Sequence, residues 1–378
     1  MITRFYNNLT PFLKENRALI IYGPRRVGKT TLLQNFLSMT PLKYKLDSGD
    51  NIRLQELLGS QDFPRILEYA EGYELIVLDE AQLIPNIGMG IKILVDQVPG
   101  LKIIATGSSS FDLANQVGEP LTGRKTTLTL YPVAQLELEA QYNRHELKQK
   151  LPEYLIFGSY PEVLTAKTKE EKIQILEELV NSYIFKDIFA LQQLKGSKVL
   201  LDLLKLLAFQ VGNEVSLNEL ATNLSIDVKT VGRYLDLLEK AFIIVHFTAF
   251  SRNLRSEVVS TSKYFFFDNG IRNAVISQFN PLDLRNDIGS LWENFLMMER
   301  MKKRAYKNIH GYSYFWRTYG QKEIDLIEER GGKIFPYEFK WSPKGKVLSP
   351  KEWISAYPLA ENLLTVTSDN YLDFIVKA

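Results

Sequence analysis

Residues 23–30, Gly-Pro-Arg-Arg-Val-Gly-Lys-Thr, have the spacing of a loop that holds phosphate. They fit G-x-x-x-x-G-K-[ST] in full. Gly23 and Gly28 let the backbone turn tightly and aim N–H groups at phosphate oxygens. The N-terminus of a following helix adds its dipole. Lys29 is spaced to reach the β- and γ-phosphates of ATP, and Thr30 to hold Mg²⁺ through its hydroxyl. Pro24, Arg25, Arg26, Val27 and Thr31 complete the binding segment, the two arginines adding charge. Downstream, the apolar run Leu75–Leu78 ends in Asp79-Glu80. Asp79 is expected to hold Mg²⁺ through water, and Glu80 to orient and polarise the attacking water. At the end of IIATGSS (103–109), Thr106 or Ser108 can contact the γ-phosphate or that water. Ser108 is preferred, with turn capping as its alternative role. Arg124 is a candidate charge stabiliser within one subunit or toward a neighbour, or else a surface ion pair.

A second set lies near the C-terminus. The strand candidate Glu323–Glu328 carries Asp325, and after Gly331-Gly332 the next strand ends in Glu338-Phe339-Lys340. Alternation puts Glu338 and Lys340 on one face, and a hairpin brings Asp325 toward Glu338. Glu293, at the start of a helix, can supply a third carboxylate. Hard oxygen ligands of this kind hold Mg²⁺, which activates water and screens a phosphodiester, while Lys340 orients or activates the water. The alternative is a solvated acidic hairpin. Residues 295–307 carry five Lys/Arg against Glu299 alone, and 340–351 four lysines and no acid. Either cluster could follow a phosphate backbone, or the first could be a solvated helix face.

The elements that must position these groups are legible. Apolar strands alternating with helices to about residue 140 indicate a parallel sheet covered on both faces. Helical periodicity dominates 169–193 and 200–211. Residues 215–243 suggest two helices joined by a short turn, starting at a Ser216/Glu219 capping box. Two antiparallel strands joined by 251–257 follow, the layout of a winged helix. Lys229, Thr230 and Arg233, with Arg252 and Arg255 on the wing, could touch DNA; a packing or lid role is the alternative.

Composition narrows the chemistry. The 378 residues have 46 Lys/Arg and 44 Asp/Glu, a net +2, so nucleic-acid contact must come from local patches. No cysteine is present, which excludes disulfides, iron–sulfur clusters and thiolate zinc sites. The three histidines are isolated in sequence. No signal peptide or membrane-spanning run is evident, and a cytoplasmic location is expected.

Taken with LIVLDEAQ, ATGSSS, LTGR, FGSYPEV, SYIFKDI, FSRNLRS, KYFFFDNGIRN and EIDL…EFK, the loop motif gives the whole chain a family resemblance. It resembles bacterial and archaeal predicted ATPases with an AAA+-like P-loop domain followed by a domain of unknown function. The resemblance implies an α/β fold class. Residues 1–140 would form a parallel-sheet AAA+-like ATPase domain and 141–275 a helical and winged-helix domain. Residues 276–378 would form an α+β domain like PD-(D/E)XK restriction endonucleases, with Glu293, Asp325, Glu338 and Lys340 all present. The second sensor arginine of the usual AAA+ lid has no clear counterpart. ATP and Mg²⁺ are the expected cofactors. DNA is the expected partner, with a homo-oligomer or partner protein also considered. A nucleotide-switched binding module without cleavage is the alternative function.

Overall fold

The computed structural model describes residues 2–107, 120–181, 197–251, 261–318, 320–342, 344 and 347–376. The chain divides into two compact units, Met1–Pro132 with Lys240–Phe242, and Val133–Glu239 with Ile243–Ala378. Apart from Lys240–Phe242, the stretches 141–275 and 276–378 therefore fall into one unit.

In the first unit, strands β1 (Ala18–Tyr22), β2 (Tyr44–Ser48), β3 (Leu75–Asp79), β4 (Lys102–Gly107) and β5 (Lys125–Thr129) form a parallel sheet ordered β2-β3-β4-β1-β5. β1 is buried throughout, β3 up to its last residue and β4 after its first. That explains why these strands are apolar runs rather than alternating ones. The helices Ile52–Gly59, Phe63–Ala70 and Ile87–Gln97 contribute Leu54, Leu58, Ile66, Ile91 and Leu94 to the core that holds Ile20, Ile76 and Ile103. Each such side chain contributes about 1.5–3 kcal/mol.

The second unit contains two sheets. Strand β6 (Glu214–Val215) precedes helices Leu217–Leu224 and Val228–Lys240; β7 (Ile244–Thr248) and β8 (Ser262–Phe266) follow. These strands are antiparallel in the order β6-β8-β7. Ser216 Oγ accepts from Glu219 N, and Asp227 Oδ1 accepts from Thr230 N, so each helix begins on a side-chain cap. Further on, helix Ile288–Tyr306 leads into β9 (Tyr312–Arg317), β10 (Glu323–Arg330) and β11 (Lys333–Lys340). Helix Lys351–Ala356, β12 (Leu364–Thr367) and helix Tyr371–Ile375 complete the chain. The sheet order is β12-β11-β10-β9, antiparallel except for β11–β12. Gly331 and Gly332, with φ of +56° and +75°, form the two-residue turn between β10 and β11. A tight hairpin of this type needs positive φ at both positions.

A buried polar cluster joins the segments FGSYPEV and KYFFFDNGIRN. Asp268 Oδ2 accepts from Ser159 N at 2.7 Å, and its Oδ1 accepts from Gly270 N at 2.8 Å, capping helix Asn269–Val275. Asn269 and Asn273 donate to the carbonyl of Leu155, near the end of helix Arg144–Phe157. Asn294 accepts from Phe266 N and donates to Phe266 O, tying helix Ile288–Tyr306 to β8. Burial raises the Asp268 carboxyl above its ordinary pKa, although Lys302 and the N–H groups of Ser159, Ile271 and Gly270 oppose this.

The basic segment 295–307 is not a phosphate track. Arg300, Lys302 and Lys303 are buried. Arg300 forms a two-bond ion pair with Glu328 at 2.8 and 2.7 Å, and Lys302 pairs with Glu299 at 2.7 Å. Lys303 donates to Phe374 O at 3.0 Å. Charge density in sequence misled here because the main acid partner, Glu328, arrives from another element. A buried pair of this kind costs roughly 3–5 kcal/mol to break from one side.

Two predictions follow from this packing. A Cβ at Gly158, where φ is +72°, would lie 1.8 Å from Asp268 Oδ1. Gly158→Ala should lose about 2–5 kcal/mol in denaturant unfolding, from strain and overpacking together. Burial, then Arg300, lowers the Lys303 ammonium to a pKa of about 8. The unfolded lysine titrates near ~10.5. The folded state therefore suffers its full penalty below about pH 8, and the penalty fades as pH rises toward the unfolded value. Lys303→Met should raise the melting temperature at pH 7, with the gain shrinking by pH 10.

Candidate functional site

The sheet order puts β4 between β1, which leads into the phosphate loop, and β3, which ends in Asp79. The C-terminal ends of all three strands converge there. Gly28 has φ +94° and precedes helix Lys29–Leu37, while Arg26 is also left-handed at +58°. A Cβ on Gly23 would lie 2.2 Å from Leu130 O, so only glycine fits against the chain leaving β5. Lys29 is buried, and its Nζ donates to the carbonyls of Gly23 and Pro24 at 3.0 and 2.9 Å.

Thr30 Oγ1 donates to Asp79 Oδ2 at 2.7 Å. The two proposed Mg²⁺ positions are thus adjacent, and their hard oxygens suit that ion. Thr106, fully buried at the end of β4, donates its hydroxyl to Asp79 Oδ1 and accepts from Glu80 N at 3.1 Å. Glu80 is left-handed, φ +49°, and its Oε2 accepts from Gln82 Nε2 at 2.5 Å. Such a backbone costs on the order of 1–3 kcal/mol and stands directly after the strand, which ends at Asp79. Thr106 therefore fixes both acidic residues. Ser108, the preferred contact, lies outside the described residues, as do Arg252 and Arg255.

Arg4 was not legible as part of this site. It is buried; its Nη1 donates to Val27 O and its Nη2 to Tyr131 O, both at 2.5 Å. It binds the loop to the segment after β5. No spacing rule connects it to a loop 19 residues away.

Arg124 lies at the other end of the sheet. Its carbonyl accepts from Ala18 N, at the start of β1, whereas the phosphate loop follows Tyr22. Four strand steps separate those ends, about 13 Å. Arg124 Nε pairs with Asp96 at 2.6 Å. Action within its own subunit does not fit this placement.

In the second unit, β10 and β11 bring the carboxylate–lysine set together. Asp325 Oδ2 accepts from Phe339 N at 2.6 Å. The β10–β9 register shifts between Ile324 and Ile327, so Asp325 lies in a bulge, a device that re-aims a side chain. Lys340 Nζ pairs with Glu338 Oε1 at 2.7 Å, while Glu338 Oε2 is buried with no hydrogen-bond partner among the described residues. Burial, then Glu293 and Glu338, raises the Asp325 carboxyl well above its ordinary range. Burial raises Glu293 as well, against the pull of Lys263.

Lys263, on β8, is the member that sequence reading missed. Its side chain is 1% exposed, and its Nζ pairs with Glu293 Oε1 at 3.1 Å and with Glu323 Oε1. Burial pulls its pKa down, but Glu293, Glu323 and Asp325 outweigh that and raise it. Its one sequence signal is a lysine opening the apolar run Tyr264–Phe267. Among the described residues, no three acidic or histidine side chains are grouped as a metal ion would need. The unpartnered Glu338 oxygen is nevertheless a donor suited to a hard cation.

Thr106→Val should lower the ATP turnover number about 10–100-fold while leaving nucleotide affinity nearly unchanged, because it loosens Asp79 and Glu80 without touching the loop. Steady-state hydrolysis beside equilibrium nucleotide binding separates the two effects.

Three family models match the chain: an AAA domain over residues 15–139, and domains of unknown function over 148–282 (DUF8612) and 288–376 (DUF4143). An uncharacterized protein of Mycobacterium tuberculosis is 26% identical over 325 residues, covering 85% of this chain and 70% of its own length. An uncharacterized Haemophilus influenzae protein is 25% identical over 357 residues, covering 88% and 85%. Among solved structures, the Walker-type ATPase of Pyrococcus abyssi aligns with 70% of this chain and 91% of its own, at 17% identity and a TM-score of 0.48. The parallel sheet, the phosphate loop with its Asp79–Thr30 pair, and the AAA match over 15–139 agree: the N-terminal part of the chain is an AAA-like ATPase domain that binds and hydrolyses ATP.

Proposed function

We propose that this ATPase is directed to DNA and that its second unit is a Mg²⁺-dependent phosphodiesterase. The observation that carries the reading is the β10–β11 hairpin, where Asp325 accepts from Phe339 N beside the Glu338–Lys340 pair, and one Glu338 oxygen is buried without a partner among the described residues. Helix Ile288–Tyr306, three antiparallel strands, a helix and the parallel β12 accord with a restriction-endonuclease-like core. Glu293, Asp325 and Glu338, which as they stand are not grouped for a metal ion, would have to converge to hold it, and the bound ion would supply an activated water and screen the phosphate. Burial lowers the Lys340 pKa, but Glu338 and then Asp325 and Glu293 reverse this and raise it. Lys340 therefore remains charged near neutral pH and serves to orient water and phosphate rather than as a base.

The β6–β8 region would act as a winged helix on the DNA backbone. Lys229 and Arg233 are exposed on helix Val228–Lys240, whereas the Thr230 hydroxyl is already committed to Asp227 Oδ2 at 2.6 Å. At the ATPase site, Glu80 would polarise the attacking water, and Arg124 could serve only a neighbouring copy. A second reading, a nucleotide-switched binding module that does not cut, is favoured by the Lys263 ammonium among the acids.

Plasmid and branched DNA incubated with the full chain, Mg²⁺ or Mn²⁺, with and without ATP, should be nicked or cut. Asp325→Ala should abolish cutting while leaving ATP turnover within about twofold; Lys29→Ala should abolish turnover. DNA binding without cleavage under either metal would establish the second reading.

A further inference from the structure

We infer that Lys263 is a built-in counter-ion of the acidic cluster, and that a divalent cation can bind Glu293, Asp325 and Glu338 only by displacing it. This rests on the proposed reading of that cluster as a cation site and concerns how the site is controlled. The side chain is almost completely buried and touches two of the acids. The Phe315 ring lies 5.3 Å from its Nζ, a further stabilising contact for a cation. Its backbone is fixed, because β8 is the middle strand of its sheet and Lys263 pairs with Glu214 on one side and Phe247 on the other. The side chain alone can leave.

The cluster is left short of positive charge. Glu293, Glu323, Asp325 and Glu338 share the ammonium groups of Lys263 and Lys340. Arg317 approaches Glu323 only to 3.8 Å and is shared with Glu214 at 3.9 Å, too far for hydrogen bonds. Glu338 Oε2, on a side chain 9% exposed, has no donor among the described residues. A buried carboxylate oxygen without a partner costs the full desolvation of that group. Lys263 thus answers Glu293 and Glu323; Asp325 Oδ2 has Phe339 N and Glu338 Oε1 has Lys340, and Glu338 Oε2 is left without a donor among the described residues. A doubly charged ion would meet that oxygen and supply the missing charge, but the ammonium already holds Glu293, one of the ligands it needs.

The test is Mn²⁺ binding to the full chain without nucleotide, by calorimetry or by loss of the free-ion spin-resonance signal. Lys263→Met/Glu323→Gln removes the lysine together with its closest partner, so the net charge of the cluster is unchanged. This variant should bind one Mn²⁺ at least about tenfold tighter than the parent, and adding Asp325→Asn should abolish the gain. Lys263→Arg should bind no better than the parent. The inference is overturned if the parent binds as tightly as the double variant, if neither binds, or if the gain survives Asp325→Asn. DNA cleavage by the same proteins is a separate readout. A double variant that gains Mn²⁺ but never cuts DNA supports the counter-ion role while removing the phosphodiesterase reading.

Discussion

The second unit depends on the desolvated carboxylate of Asp268. Full burial of a charge is tolerable only when its lone pairs are met, and four donors meet them: Ser159 N, Ser159 Oγ, Gly270 N and Ile271 N. Satisfying Asp268 places the end of helix Arg144–Phe157 against the start of helix Asn269–Val275. The close approach then requires glycine at 158 and 270, because a Cβ at Gly270 would lie 2.1 Å from Phe157 O. Arg272 and Arg285 extend the network to Asp287, and Lys302 to Glu299. Segments that resisted any catalytic reading, FGSYPEV and KYFFFDNGIRN, are thereby explained as the polar framework of a core. Because β8 ends at this framework, the same packing sets where Lys263 stands.

Order in the first unit comes from a different source. Strands buried on both faces fix the sheet by apolar packing, and the polar groups appear only where the strands end. The insertion of β4 between β1 and β3 makes Thr106 the link between the phosphate loop's partner, Asp79, and the water-directing Glu80. The left-handed backbone at Glu80 is a local cost that the surrounding hydrogen bonds sustain. Arg4 holds the loop from behind through two carbonyls, so the loop's shape depends on a residue outside its motif.

The two acidic sites differ in how their charge is handled. Asp79 accepts hydrogen bonds from neutral hydroxyls and a backbone N–H, an arrangement that a bound ion can readily replace. In the second unit, carboxylates are packed closely enough to raise one another's pKa, and a lysine already stands among them. Preorganisation of ligands and prior occupation by a counter-ion work against each other in such a cluster.

The sequence alone determined the phosphate loop, the Asp79-Glu80 strand end, the parallel sheet, and the hairpin that pairs Asp325 with Glu338. These were legible because each rests on local rules: glycine at tight turns, apolar runs for doubly buried strands, and period-two alternation about a Gly-Gly turn. The same locality explains why Ser216 could be read as a helix start. Only the tertiary structure decided which charges face solvent. Arg300 and Lys303 look like a basic patch until Glu328 and Phe374 O are brought beside them. Arg124 looks like a neighbour of the phosphate loop until the parallel register places it at the opposite end of β1. Lys263 and Arg4 carry no motif because their partners are distant in the chain. A charged side chain's environment is set by what packs against it, and such long-range pairing leaves no periodic trace in the residues themselves.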